Sequence, residues 1–132
     1  MKRIFDEATK KALSGLLPFA PGTSVPFTPE AFQKVEEAFR PIFNLRPYAK
    51  KERDYLAEHL KAGTYDKACI SRAMENSGVI GWSNFFFYPD GEEIPFEKGQ
   101  LENLPDVPFY QIHTHLMELT VGPTEVEKEG LP

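Results

Sequence analysis

Two histidines one residue apart, His113 and His115, are the side chains in this sequence best suited to chemistry, because paired imidazoles can hold a transition metal. On a strand, residues i and i+2 share a face and both rings would meet one ion. On a helix they diverge, since at ~100° per residue the two rings project roughly 200° apart. Phe109, Ile112, Leu116 and Leu119 recur around them at intervals of three, four and three, the spacing of an amphipathic helix. That places His113 on the shoulder of an apolar stripe and His115 toward water, so no metal site and no cofactor are expected.

The remaining candidates for catalysis carry less. Cys69 stands in an apolar helical setting with no base or nucleophile-elbow pattern near it, and Ser71 and Ser77 sit where capping or solvent explains them. The glycines follow neither dinucleotide-binding nor Walker spacing. Glu36-Glu37 and Glu92-Glu93 are adjacent pairs whose side chains point in different directions, and Asp90-Gly91-Glu92-Glu93 lacks the alternating oxygen ligands of a calcium loop. Catalytic residues are therefore expected to be absent. The run Trp82 to Tyr88 is different, because five aromatics in seven residues exceed what one face of a strand can bury. It reads either as a strand packed on both sides or as a sticky patch for partners or self-association. Trp82, Phe85, Phe86 and Phe87, together with the stripe Phe109, Ile112, Leu116 and Leu119, are thus the candidate protein-binding residues.

The elements that must position these residues are mostly helical. Phe5, Ala8, Ala12 and Leu16 predict a first helix over 4–17, followed by a proline-rich extended arm from Pro18 to Pro29. Thr28-Pro29-Glu30 is a helix-start signal for a second helix with Phe32, Val35 and Phe39 buried, ended by Pro41. A short strand follows at 42–46 with Phe43 and Leu45 on one face. Residues 49–61 are rich in helix formers, with Tyr48, Glu52, Tyr55, Leu56 and Leu60 at helical spacing and Gly63 as the stop. Thr64 is expected to cap another helix from Tyr65 to Asn76, with Cys69, Ile70, Ala73 and Met74 inward and Gly78 near its end. From Val79 the period changes, and Pro89-Asp90-Gly91 predicts a turn within a hairpin at about 79–96. Leu101 and Leu104 belong to a short helix, and the last helix is expected to close at Gly122-Pro123. The fold class expected is mainly α: one small helical domain with a short β-hairpin or two short strands. Its parts would be an N-terminal helix and arm over 1–27, a helical core domain over 28–122, and a flexible C-terminal tail over 123–132.

Composition narrows the partners. A chain of 132 residues supports one domain. A net charge of -5 and a pI near 5.2 leave no basic stripe for a phosphate backbone or an anionic membrane, so neither nucleic acid nor membrane is an expected partner. One cysteine cannot form an internal disulfide and suits a reducing compartment. No apolar run approaches the ~20 residues that span a bilayer, and acidic residues interrupt what would be a signal peptide.

Three segments together resemble a known family. Phe43-Asn44-Leu45-Arg46-Pro47 leads into Glu52-Arg53-Asp54-Tyr55-Leu56. Val79-Ile80-Gly81-Trp82-Ser83-Asn84 comes next, and then Asp90-Gly91-Glu92-Glu93-Ile94-Pro95-Phe96. In order and approximate spacing, over roughly residues 28–104, these are similar to the tail assembly chaperones of long-tailed phages and prophages. The first 27 residues lie outside the likeness.

The resemblance implies a non-enzymatic, largely helical, self-associating protein of the bacterial host cytoplasm that binds the tape measure protein. It would keep that client soluble while the tail tube assembles and be absent from the mature virion. Many members exist in a short form and a frameshifted long form whose extra domain recruits the tail tube protein; this chain, ending at Pro132, is expected to correspond to the short form. The alternative reading is a structural phage protein such as a head-tail joining or tail component.

Overall fold

The structure, a computed structural model, describes residues 2–13, 16–17 and 22–130, with backbone only for 121–130. Alternating apolar residues set its centre. Strand β2 (Ile42–Leu45) buries Phe43 and Leu45 completely and turns Ile42 and Asn44 the other way, the period-two pattern of a sheet with one packed face. It lies between β1 (Val25–Phe27) and β3 (Val79–Ser83), antiparallel to both. Phe27, Phe43 and Trp82 stand opposite one another across the three strands, as do Val25, Leu45 and Val79, so these two rows share the inner face. A bulge between Asn44 and Leu45 leaves Ile80 as the extra residue on β3.

Helices cover the inner face. Helix α1 (Glu7–Leu13) buries no residue. Helix α2 (Lys50–Ala62) places Glu52 and Leu56 inward and ends on Gly63, whose φ of 74° is the left-handed conformation that glycine adopts without strain. Helix α3 (Lys67–Ala73) starts at Asp66, whose carboxylate accepts the Cys69 N–H at 2.9 Å. It continues as a single π-helical turn, Met74–Gly78, straight into β3. Helix α4 (Asp106–Gly130) drives Phe109, Ile112 and Leu116 into the core beside Phe43, Leu45, Ile70 and Met74.

Gly78 marks the tightest junction. A Cβ there would lie 2.9 Å from Tyr48 Cε1 and 3.0 Å from Leu116 Cδ1, inside the core and not at a flexible tip. Gly78→Ala is expected to destabilise the protein by about 1–3 kcal/mol through overpacking, measurable as a lower urea midpoint at unchanged slope.

Several expectations are corrected. The fold is mixed α/β, with a three-stranded antiparallel sheet in place of a mainly α domain carrying one hairpin. The strand at 79–83 pairs with 42–45, because that register puts Val79 and Trp82 on the row of Leu45 and Phe43. Only the later part of the expected hairpin closes on itself, by an isolated bridge between Phe86 and Glu93. The proline-rich arm contributes β1, with Pro26 on an edge strand where a missing N–H is tolerated. Residues 18–21 of that arm, and Ser14 and Gly15 of the expected first helix, lie outside the described residues.

The second helix is replaced by two 3-10 turns, Glu30–Phe32 and Glu37–Phe39, with Val35 and Phe39 exposed. Partners elsewhere satisfy its backbone: Gln111 Oε1 accepts the Ala31 N–H at 2.8 Å, and the Arg40 guanidinium donates to the carbonyls of Val35 and Gln33. The helix expected from Tyr65 begins two residues later because Asp66, and not Thr64, caps it; Thr64 Oγ1 pairs with His59 Nδ1. Backbone helix in α4 runs through Gly122 and Pro123 to Gly130, past the expected end. One proline removes a single i to i−4 bond and need not end a helix.

Candidate functional site

The pair that opened the sequence reading goes to two different places. His113 is buried, with Nδ1 2.9 Å from the Tyr48 hydroxyl and Nε2 2.5 Å from the Tyr65 hydroxyl. Burial holds its pKa below the ordinary histidine range and pushes both tyrosines above theirs. His115, expected to face water, is only partly exposed. Its ring stacks on Phe27 at 4.2 Å and 10°, because β1 covers that flank of α4. Cys69 is buried, and desolvation raises its thiol pKa, the opposite of what a nucleophile needs. Among the described residues no group of three or more His, Cys, Asp or Glu side chains could hold a metal ion.

The aromatic run behaves differently. Trp82 and Phe85 turn inward; Phe85 packs edge-on against Phe43 at 5.1 Å and against Trp82 at 5.3 Å. The Trp82 indole N–H donates to the Ile94 carbonyl at 2.9 Å, and its ring meets Phe96 at 4.7 Å. Asn84 takes a φ of 57° and its amide nitrogen donates to the carbonyls of Ala38 and Arg40, which ties the loop to the 3-10 segment. The tryptophan and asparagine of the Gly-Trp-Ser-Asn segment therefore hold residues 85–94 in a closed loop, whose backbone is joined by Ile94 N–H to Phe85 O and Phe87 N–H to Glu92 O.

Closing the loop forces its next aromatics outward. Phe86 and Phe87 are 43% and 42% exposed, and Tyr88 is 97% exposed. With Phe32, Phe39 and Pro41 on one side and Leu104, Pro105 and Pro108 on the other, they line an apolar groove of about 500 Å³. Phe39, 63% exposed, forms part of its rim. Among the described residues no charged side chain lines this groove.

A larger cleft of about 780 Å³ lies between β1, the 3-10 segment and α4. Three of its charged groups are engaged in different directions, and Glu30 also lines it. Arg40 is held by backbone carbonyls, Asp106 pairs with Lys67, and Glu118 reaches His115. They do not converge on one point, so the aromatic groove is the better candidate site.

Of the residues singled out in the sequence, Phe85, Phe86 and Phe87 line the groove and Trp82 braces its loop. Phe109, Ile112 and Leu116 are fully buried in the chain's own core and Leu119 packs against that core, so this stripe offers no docking surface. Phe32, Phe39 and Tyr88 were missed as groove residues. The available signal was Pro41 and Pro89, which stand within two residues of Phe39 and Tyr88 and interrupt regular structure there.

Comparison with family models, with curated proteins and with solved structures returned no match. No helix among the described residues is long and apolar enough to cross a membrane.

Proposed function

We propose that this chain is a non-catalytic tail assembly chaperone of a long-tailed phage or prophage, and that its aromatic groove holds apolar segments of the tape measure protein. The observation that carries the reading is the groove itself: three exposed aromatics on one short loop, facing Phe39 across an uncharged floor. Apolar surface of this kind on an acidic chain marks an interaction site more often than a surface accident. The segments of the family resemblance support the same location, because Trp82 and Asn84 are the residues that close the loop and expose Phe86, Phe87 and Tyr88.

In this role an amphipathic client helix lays its apolar face into the groove while the net charge of -5 keeps the complex soluble. Several copies along one long client multiply a weak individual contact. The protein acts in the bacterial host cytoplasm and leaves before the virion is complete; a frameshifted longer form would bring in the tail tube protein.

Co-expression with the tape measure protein tests this directly. The wild-type chain is expected to raise the client's soluble fraction and co-purify with it. Phe39→Glu with Phe87→Glu, both at exposed positions, is expected to abolish that effect while leaving the circular dichroism spectrum intact. Equal rescue by this double variant, or stoichiometric recovery of the protein from purified virions, would overturn the reading.

A further inference from the structure

We infer that the aromatic groove is also the docking site for the amphipathic N-terminal segment of a second copy of this chain. The inference rests on reading the groove as a binding surface, and it adds a specific occupant. Two unsatisfied apolar surfaces are present on each copy. One is the groove. The other is the N-terminal segment, where α1 buries nothing, Ile4 is 95% exposed, and Leu16 and Leu17 are each about half exposed. An isolated helix this short is unstable in water, since ~12–15 residues are marginal even for good helix formers. Ordering it needs a surface to pack on, and its own copy buries no residue of α1.

Charge selects the groove as that surface. Residues 2–17 carry Lys2, Arg3, Lys10 and Lys11 against Asp6 and Glu7, a basic segment in an acidic protein. The three segments that line the groove, 30–41, 84–94 and 100–108, bear the opposite sign. Their exposed carboxylates include Glu36, Glu37, Asp90, Glu92, Glu93 and Glu102, while their basic residues are Lys34 and an Arg40 already bonded to backbone carbonyls. A basic amphipathic helix entering an uncharged groove with an acidic surround meets apolar contacts below and opposite charge at the edge. Seven residues separate Leu17 from Val25, a covalent reach of at most about 29 Å toward a neighbouring copy. Each copy then offers one segment and accepts one, a head-to-tail arrangement that extends from copy to copy, and the segment competes with client for the same groove.

Complementation between two variants of the full chain tests the arrangement. The segment variant carries Phe5→Glu and Leu16→Glu; the groove variant carries Phe39→Glu and Phe87→Glu. In sedimentation velocity the wild type is expected to gain mass with concentration, less so in 0.5 M salt, where the screening length falls below the ~10 Å of 0.1 M salt. Each variant alone is expected to stay near 15.0 kDa. Mixed, they are expected to form a species of twice that mass, because one retains a groove and the other a segment. A segment variant that associates like wild type, or a mixture that gains no mass, would overturn the inference. Client co-expression separates the two readings. Rescue by the segment variant without complementation sinks only this inference, whereas complementation without client rescue by the wild type sinks only the proposed function.

Discussion

Replacing Phe43 with alanine is expected to lower the unfolding free energy by about 3–5 kcal/mol. The side chain is fully buried in the middle strand, with Phe85 edge-on at 5.1 Å and Trp82 at 6.1 Å. Deleting the ring leaves a cavity and removes both aromatic contacts, each of the kind worth about 0.5–1.5 kcal/mol beyond area burial. For a domain whose total stability is about 5–15 kcal/mol, this is a large fraction, and the melting temperature should drop by roughly 10–20 °C. The effect should also reach the groove, because Phe85 both packs on Phe43 and lines the groove. Phe43→Leu, which keeps most of the volume, should recover much of the loss. A Phe43→Ala variant with a wild-type urea midpoint would show that the core is not organised around this strand.

The second large effect concerns His113. Replacing it with leucine keeps the bulk but leaves the buried Tyr48 hydroxyl without its imidazole partner, an expected loss of about 2–3 kcal/mol. The same geometry makes stability depend on pH. A neutral imidazole offers one donor and one acceptor, so each tyrosine can pair with it in a complementary sense. Protonation turns both ring nitrogens into donors, both hydroxyls must accept, and the Tyr48 proton is left in the interior. Because burial lowers the folded-state pKa of His113 below its ordinary 6.5, the unfolded chain binds the proton first. Stability from this group is full above about pH 6.5 and falls as pH drops toward the folded-state value. Urea midpoints at pH 7.5 and 5.5 should therefore diverge more for the wild type than for His113→Leu. Equal divergence in the two proteins would remove the histidine from the account.

How much of this was legible in the sequence depends on how local each signal is. Residues 50–62 were readable because helix formers and the Gly63 stop act within one turn of where they stand. The alternation of Phe43 and Leu45 was readable for the same reason. The sheet was not, because its third strand is Val25–Phe27, three residues in a proline-rich stretch with too little period to recognise. Its other pairing spans the whole of α2 and α3. The second helix failed on a long-range bond, since the Gln111 side chain that takes the Ala31 N–H is eighty positions away. For the groove, composition alone identified the aromatic run as excessive for one strand face. Which of its members face out was decided by Trp82 and Asn84 closing the loop, and that took the fold to see.

The edge formed by β1 has a bearing on what happens when copies of this chain are crowded together. An open sheet edge is a template on which extended segments add as further strands, the route to amyloid-like growth. Here that edge is three residues long, and its middle residue, Pro26, has no N–H to donate to an incoming strand. A neighbour lying along β1 would find a ladder too short and too incomplete to extend. Association on that side is thereby left to side chains, which can be released again, and kept away from backbone zippering, which is far harder to reverse.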